Sequence, residues 1–266
     1  MSRAAIAKDV LVGQTRALKM PGALRCFEAL ARQANEEHWS YEEYLSEVLA
    51  AEIQSRNESA VRQRVREAHF PELKTLDTFD FSATEGVSAP QIAELARGRF
   101  IESAENVLFV GPIGTGKTHL AIALGVEAAR NRRRVLFTRA ADLVRSLVEA
   151  RDGRELSRLQ RRLNWVELLI VDEFGFVPFD RAGGELLFNI VAERYERRSI
   201  MLTSNLAFSE WPRVLGGDEK LATALLDRLA HHATVITTKG KSYRMRKRAG
   251  QDSSTSTTTK KETRPK

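Results

Sequence analysis

The segment Gly111-Pro112-Ile113-Gly114-Thr115-Gly116-Lys117-Thr118 fits the pattern G-x-x-x-x-G-K-[ST] at every fixed position. The pattern works only as a loop between a buried strand and a helix, so it dictates the local architecture as well as the ligand. Both flanks are present: residues 108–110 are apolar, and residues 118–130 carry helical apolar spacing. The glycines let backbone N–H groups turn inward around phosphate oxygens. The start of the following helix adds the positive end of its dipole. Lys117 is expected to reach the β- and γ-phosphates, and Thr118 to ligate Mg²⁺. The expected ATP-binding set is Gly111, Pro112, Ile113, Gly114, Thr115, Gly116, Lys117, Thr118 and His119.

A loop of this kind needs an acidic partner at the carboxyl end of a neighbouring strand, where parallel sheets bind ligands. Leu168-Leu169-Ile170-Val171 followed by Asp172-Glu173 supplies it. Asp172 is expected to hold Mg²⁺ through water. Glu173 is expected to orient or deprotonate the attacking water. Another apolar run, 200–202, ends in Thr203-Ser204-Asn205. Asn205 is the candidate for contact beside the γ-phosphate, although Ser and Asn also favour plain turns. Asp227-Arg228-Leu229 lies late on a helix. An arginine can stabilise charge in phosphoryl transfer, even from a neighbouring subunit. On these residues alone, however, Arg228 reads as a solvated helix position.

Beyond residue 100, short apolar runs at 107–110, 135–138, 168–171, 200–203 and 235–238 alternate with helical patterns at 118–130, 143–162, 184–197 and 221–232. Such alternation predicts an α/β fold, a five-stranded parallel sheet covered by helices on both faces. Residues 1–68 read instead as a small all-α domain. Pro21-Gly22 marks a helix boundary there, and Ser40 with Glu43 forms a capping-box pattern. Residues 69–100 read as a connector, 101–248 as the ATPase domain and 249–266 as a disordered basic tail. Phe79 and Phe81 in the connector suit either an adenine-side segment or a core plug.

The net charge of +7 sits at one end, because residues 239–266 hold ten Lys and Arg against Asp252 and Glu262. That excess suits nucleic acid, or a solubilising tail. Cys26 is the sole cysteine, which excludes an internal disulfide and a multi-cysteine zinc site. The five histidines show no metal-ligand spacing. No apolar run approaches the about 20 residues of a membrane span, and no secretory signal opens the chain. A cytoplasmic, bacterial-type location without membrane partners is expected.

The phosphate loop, Leu-Leu-Ile-Val-Asp-Glu-Phe-Gly at 168–175, Thr-Ser-Asn at 203–205 and Leu-Leu-Asp-Arg-Leu at 225–229 occur in this order after a helical N-terminal region. In this the sequence resembles the IstB family, ATP-dependent helpers of insertion-sequence transposases. That family is similar to the helicase loader DnaC and the replication initiator DnaA, all of the AAA+ class. The resemblance implies an AAA+ core, with Asn205 as a sensor of the γ-phosphate and Arg228 as an arginine finger acting across a subunit interface. It also implies ATP-dependent assembly of a homo-oligomeric ring or spiral that engages double-stranded DNA and recruits a transposase. The usual helical lid is expected to be missing or reduced.

Arg145, Arg151, Arg154, Arg158, Arg161 and Arg162 fall in the 143–162 pattern. The last five follow helical spacing, so one helix face is expected to carry them and to track DNA phosphates. A solvated charged face is the alternative. Lys239, Lys241 and Arg244 form a second basic patch with Tyr243. A helicase loader of DnaC type acting on single strands is the competing function. A P-loop kinase, or a binding module without turnover, is the reading from another class.

Overall fold

The structure, a computed structural model, describes residues 3–240, 242 and 243. The chain divides between Gln63 and Arg64 into two compact units. The basic residues Lys241 and Arg244 and the expected tail at 249–266 lie outside the described residues.

The first unit holds helices α1 (Arg3–Ala17), α2 (Pro21–Glu36) and most of α3 (Tyr41–Glu67). The capping box before α3 forms in full: Glu43 N–H donates to Ser40 Oγ at 3.2 Å, and Ser40 N–H to Glu43 Oε2 at 2.6 Å. Gly22 lets α2 approach α3 closely, since a Cβ there would stand 2.6 Å from the Ala51 carbonyl oxygen. The buried Glu52 carboxylate accepts from the N–H groups of Gly22 and Ala23, at 2.7 and 3.2 Å, and from Arg56 Nε at 2.7 Å. It thereby satisfies donors that the start of α2 leaves without intrahelical partners.

The second unit is built on β1 (Asn106–Val110), β2 (Val135–Arg139), β3 (Leu168–Phe174), β4 (Ser199–Ser204) and β5 (Ala233–Thr237). They form one sheet in the order β2-β3-β4-β1-β5, every pairing parallel. Side chains alternate between its faces. Leu108, Leu169, Val171, Ile200 and Leu202 point into a layer with α7 (Ala140–Asp152), α9 (Arg181–Arg194) and α11 (Glu219–Ala230). Val107, Phe109, Leu168, Ile170, Met201 and Ile236 point into the opposite layer, against α6 (Lys117–Arg130). This is the α/β core with helices on both faces that the alternating pattern predicts.

The connector expected at 69–100 falls inside the second unit and packs into it. Its short helices α4 (Ala89–Ala96) and α5 (Arg99–Glu102) bury Ile92, Leu95, Phe100 and Ile101 in the α6 layer. Two further helices, α8 (Leu156–Trp165) and α10 (Trp211–Val214), complete the unit. Among the described residues no helix is long and apolar enough to cross a membrane.

One expectation is corrected. The single helix expected over 143–162 is two helices, α7 and α8, because Gly153 caps α7 and Arg154 takes a left-handed φ of 60°. A left-handed residue ends the i to i−4 hydrogen-bond ladder. The five arginines therefore do not share one helix face: Arg151 lies on α7, Arg154 in the break, and Arg158, Arg161 and Arg162 on α8.

Arg194 is fully buried and, among the described residues, no carboxylate pairs with its guanidinium; it donates instead to the carbonyls of Leu163, Val166, Glu167 and Ser199 at 2.7–3.2 Å. Burial, reinforced by the charge of Arg198, lowers its pKa to about 9. It ties the end of α8 to the starts of β3 and β4 and so fixes the strands whose other ends form the site.

Candidate functional site

The phosphate loop leaves β1 and enters α6 at Lys117. Gly114 and Gly116 hold φ of 81° and 91°, a left-handed region that favours glycine. Space forbids a side chain as well: a Cβ on Gly114 would lie 2.2 Å from Ser242 Oγ, and one on Gly116 would lie 2.6 Å from the Phe79 ring. The Lys117 ammonium donates to the Gly111 and Pro112 carbonyls, both at 2.6 Å, and so lies folded over its own loop. Thr115 Oγ1 donates to the Pro112 carbonyl at 2.8 Å and meets Thr238 Oγ1 at 2.6 Å. The residue following β5 thus buttresses the loop.

The acidic partner arrives on β3. Its register with β4 shifts between Val171 and Phe174, and Glu173 has φ 60°. A bulge of this kind re-aims side chains. Asp172 is buried, while the Glu173 side chain is about half exposed, at 47%. Asp172 Oδ1 accepts from Thr118 Oγ1 at 2.9 Å and from Thr203 Oγ1 at 2.5 Å. Thr203 Oγ1 in turn accepts the Glu173 N–H at 3.0 Å. The Glu173 carboxylate pairs with Arg139 Nε at 3.4 Å. Arg139 ends β2 in register with Asp172.

These groups open into a cleft of about 610 Å³, walled by the loop, the ends of β2 and β3, Lys74, Thr78, Phe79 and Asp80 of the connector, and Tyr243. Its size suits a nucleotide. On the connector side, His119 Nε2 lies 3.0 Å from the Thr75 carbonyl oxygen, and its ring packs edge-on to Phe79 at 5.2 Å. Phe79 therefore bounds the cleft and, with Phe81, packs against the core layer around α6.

The residues present fit ATP and Mg²⁺. The loop has the glycine-only geometry of a phosphate cradle. The Thr118 hydroxyl and the Asp172 carboxylate are adjacent hard oxygen donors, the kind Mg²⁺ selects.

Lys117, Thr118, His119, Asp172 and Glu173 come together, as the spacing predicts. Asn205 does not join them. It is half-buried just past β4 and does not line the cleft, and Thr203 makes the contact with Asp172 instead. Arg228 also stays outside the cleft; it lies over the Phe188 ring at 4.6 Å and donates to the Ala224 carbonyl at 3.1 Å. Arg145, Arg151, Arg154, Arg158, Arg161 and Arg162 are all exposed. Three of them pair locally, Arg145 with Asp142, Arg151 with Asp152 and Arg158 with Glu155. Lys239 is exposed, and its N–H donates to the Glu85 carbonyl.

The sequence pattern gives no site role to Thr203, Arg139 or Thr238, and sets Tyr243 in a basic patch rather than at the cleft. Thr203 stood in view, two residues before Asn205. The others become visible only through strand order.

The pattern of the family described as IstB-like ATP binding protein matches residues 13–251. An ATP-binding protein of insertion sequence IS21 from Pseudomonas aeruginosa is 41% identical over 231 residues, 87% of each chain. That of insertion sequence IS5376 from Geobacillus stearothermophilus is 40% identical over 235 residues, 88% of this chain and 93% of its own. Among solved structures, AMPPCP-bound DnaA from Aquifex aeolicus matches with a TM-score of 0.51 at 23% identity, over 68% of this chain and 55% of that one. The DnaC helicase loader matches with a TM-score of 0.50 at 20% identity, over 62% of this chain and 96% of that one. At such identities the likeness concerns the fold, which is that of AAA+ proteins. The phosphate loop fits the relatives' shared description as ATP-binding proteins, and the chain belongs to the IstB-like ATP binding protein family.

Proposed function

We propose that this protein is a Mg²⁺-dependent ATPase that assembles on duplex DNA in the bacterial cytoplasm and activates a transposase. The observation that carries the ATPase reading is the convergence of the Thr118 and Thr203 hydroxyls on Asp172, with Glu173 beside it at the mouth of the cleft. Lys117 and the loop N–H groups bind the phosphates. Thr118 and Asp172 would hold the metal, which would supply positive charge to the phosphate oxygens. Glu173 orients the attacking water and takes its proton. Thr203 keeps the Asp172 carboxylate fixed, and Arg139 keeps the Glu173 carboxylate at the cleft.

Arg228 lies away from its own cleft, which supports action on the nucleotide of a neighbouring subunit in a ring or spiral. Asn205 then senses the phosphate only if the strand end shifts on binding. The exposed arginines of α7 and α8 supply the DNA contact, each neutralised phosphate releasing counterions. The names of the close relatives tie the family to insertion sequences, which supports a transposase as partner.

Anisotropy of labelled duplex and single-stranded DNA, titrated with ATP, ADP or no nucleotide, tests the assignment. Duplex binding that requires ATP is expected. A preference for single strands would make the protein a helicase loader, and weak binding indifferent to nucleotide would remove DNA assembly from its function.

A further inference from the structure

The sequence spacing of the histidines gives no ligand pattern, but the fold supplies the missing partner. Among the described residues, Glu196, His231 and His232 form a group whose donor atoms all lie within 4.8 Å of one another. It sits at the opposite end of the sheet from the nucleotide cleft. Glu196 lies in the turn between α9 and β4, and the two histidines follow α11 and lead into β5. The His232 carbonyl accepts the N–H of Asn106, the first residue of β1.

Glu196 Oε1 is 3.9 Å from His231 Nδ1 and 3.6 Å from His232 Nε2. The Tyr195 hydroxyl is hydrogen-bonded to His231 Nδ1 at 2.7 Å and holds that ring in place. The two imidazoles pack edge-on at 4.2 Å between centroids. A tetrahedral Zn²⁺ with bonds of about 2.0–2.1 Å requires donors roughly 3.3–3.5 Å apart. The two Glu196 distances are within about 0.6 Å of that. The side chains are half-exposed, so rotamer settling can close the remainder.

Two imidazoles with a carboxylate form a borderline donor set. It suits Zn²⁺ and its transition-metal neighbours, whereas Mg²⁺ prefers oxygen donors alone. The carboxylate of Glu196 offsets part of the ion's charge. Arg197 and Arg198 follow in the same turn and add positive charge.

We propose that Glu196, His231 and His232 form a Zn²⁺ site, with water as the fourth ligand. The ion would fasten the end of α11 to the α9–β4 turn, three residues beyond Arg228. This site does not depend on the ATPase reading.

Zn²⁺ titrated into the full chain against a chromophoric chelator tests it. One Zn²⁺ per chain is expected. His232→Ala and Glu196→Gln should each weaken binding by about tenfold or more, while His38→Ala, an exposed histidine of the first unit, should leave it unchanged. Zn²⁺ should also raise the Tm of the parent but not of the His231→Ala/His232→Ala double variant. Binding that His232→Ala and Glu196→Gln leave intact would overturn the proposal, as would a parent that binds no better than the double variant. Circular dichroism of each variant shows that the fold is retained.

Discussion

Thr203 donates its hydroxyl to Asp172 Oδ1 at 2.5 Å, the same oxygen that accepts the Thr118 hydroxyl at 2.9 Å. A buried carboxylate stripped of one donor loses about 1–3 kcal/mol. Thr203→Val should therefore lower the unfolding free energy of the core by about that amount and raise the Mg²⁺ concentration needed for half-maximal ATP hydrolysis. Thr203→Ser should restore both. A Val variant with parental Mg²⁺ dependence would take Thr203 out of the metal site.

Glu173→Gln keeps the shape of the site and removes the base. ATP affinity should remain while turnover falls by about 10²- to 10⁴-fold. Filter binding and phosphate release measure the two quantities separately. Parental turnover would assign the water to another group.

Arg228→Ala should bind ATP normally and fail to hydrolyse it. Lys117→Ala should fail to bind. If the arginine acts across an interface, mixing the two variants pairs an intact nucleotide site with an intact Arg228 in a fraction of interfaces, and ATPase activity should reappear. No rescue at any mixing ratio would refute action between subunits.

Glu52 links pH to the first unit. Burial raises its pKa, but hydrogen bonds from Arg56, Ala23 and Gly22 outweigh this, and the pKa lies below the ordinary carboxylate value. A carboxyl depressed on folding stabilises at pH above its unfolded value, and that stabilisation disappears as pH falls through the folded value. Acid titration of the far-ultraviolet dichroism should show loss of helix on the acid side of about pH 4. Glu52→Gln should be less stable at pH 7 and should show a flatter acid limb. An unchanged acid limb would mean that other carboxyls govern this transition.

The parallel core was legible because β-branched and aliphatic runs alternate with helical spacing, and Ser40 with Glu43 announced a cap that the structure forms. The loop and Asp172-Glu173 were legible because their chemistry is local to short segments. Thr203 and Arg139 were not, since their contacts depend on β3 lying between β2 and β4, which no spacing along the chain encodes. The break at Gly153 had a visible signal in the glycine itself. The apolar pattern running through Leu147, Leu156 and Leu163 masked it, because both helices bury residues in the same layer.

The N–H of Tyr243 donates to the Gly114 carbonyl at 3.0 Å, with Ser242 seated where a side chain on Gly114 would have to go. The phosphate loop is therefore completed by residues about 130 positions later in the chain. Any shortened version of this protein must keep Tyr243 to keep its loop. A cut just after β5, which strand boundaries alone would recommend, would leave every residue of the loop motif in place and remove one wall of the nucleotide cleft.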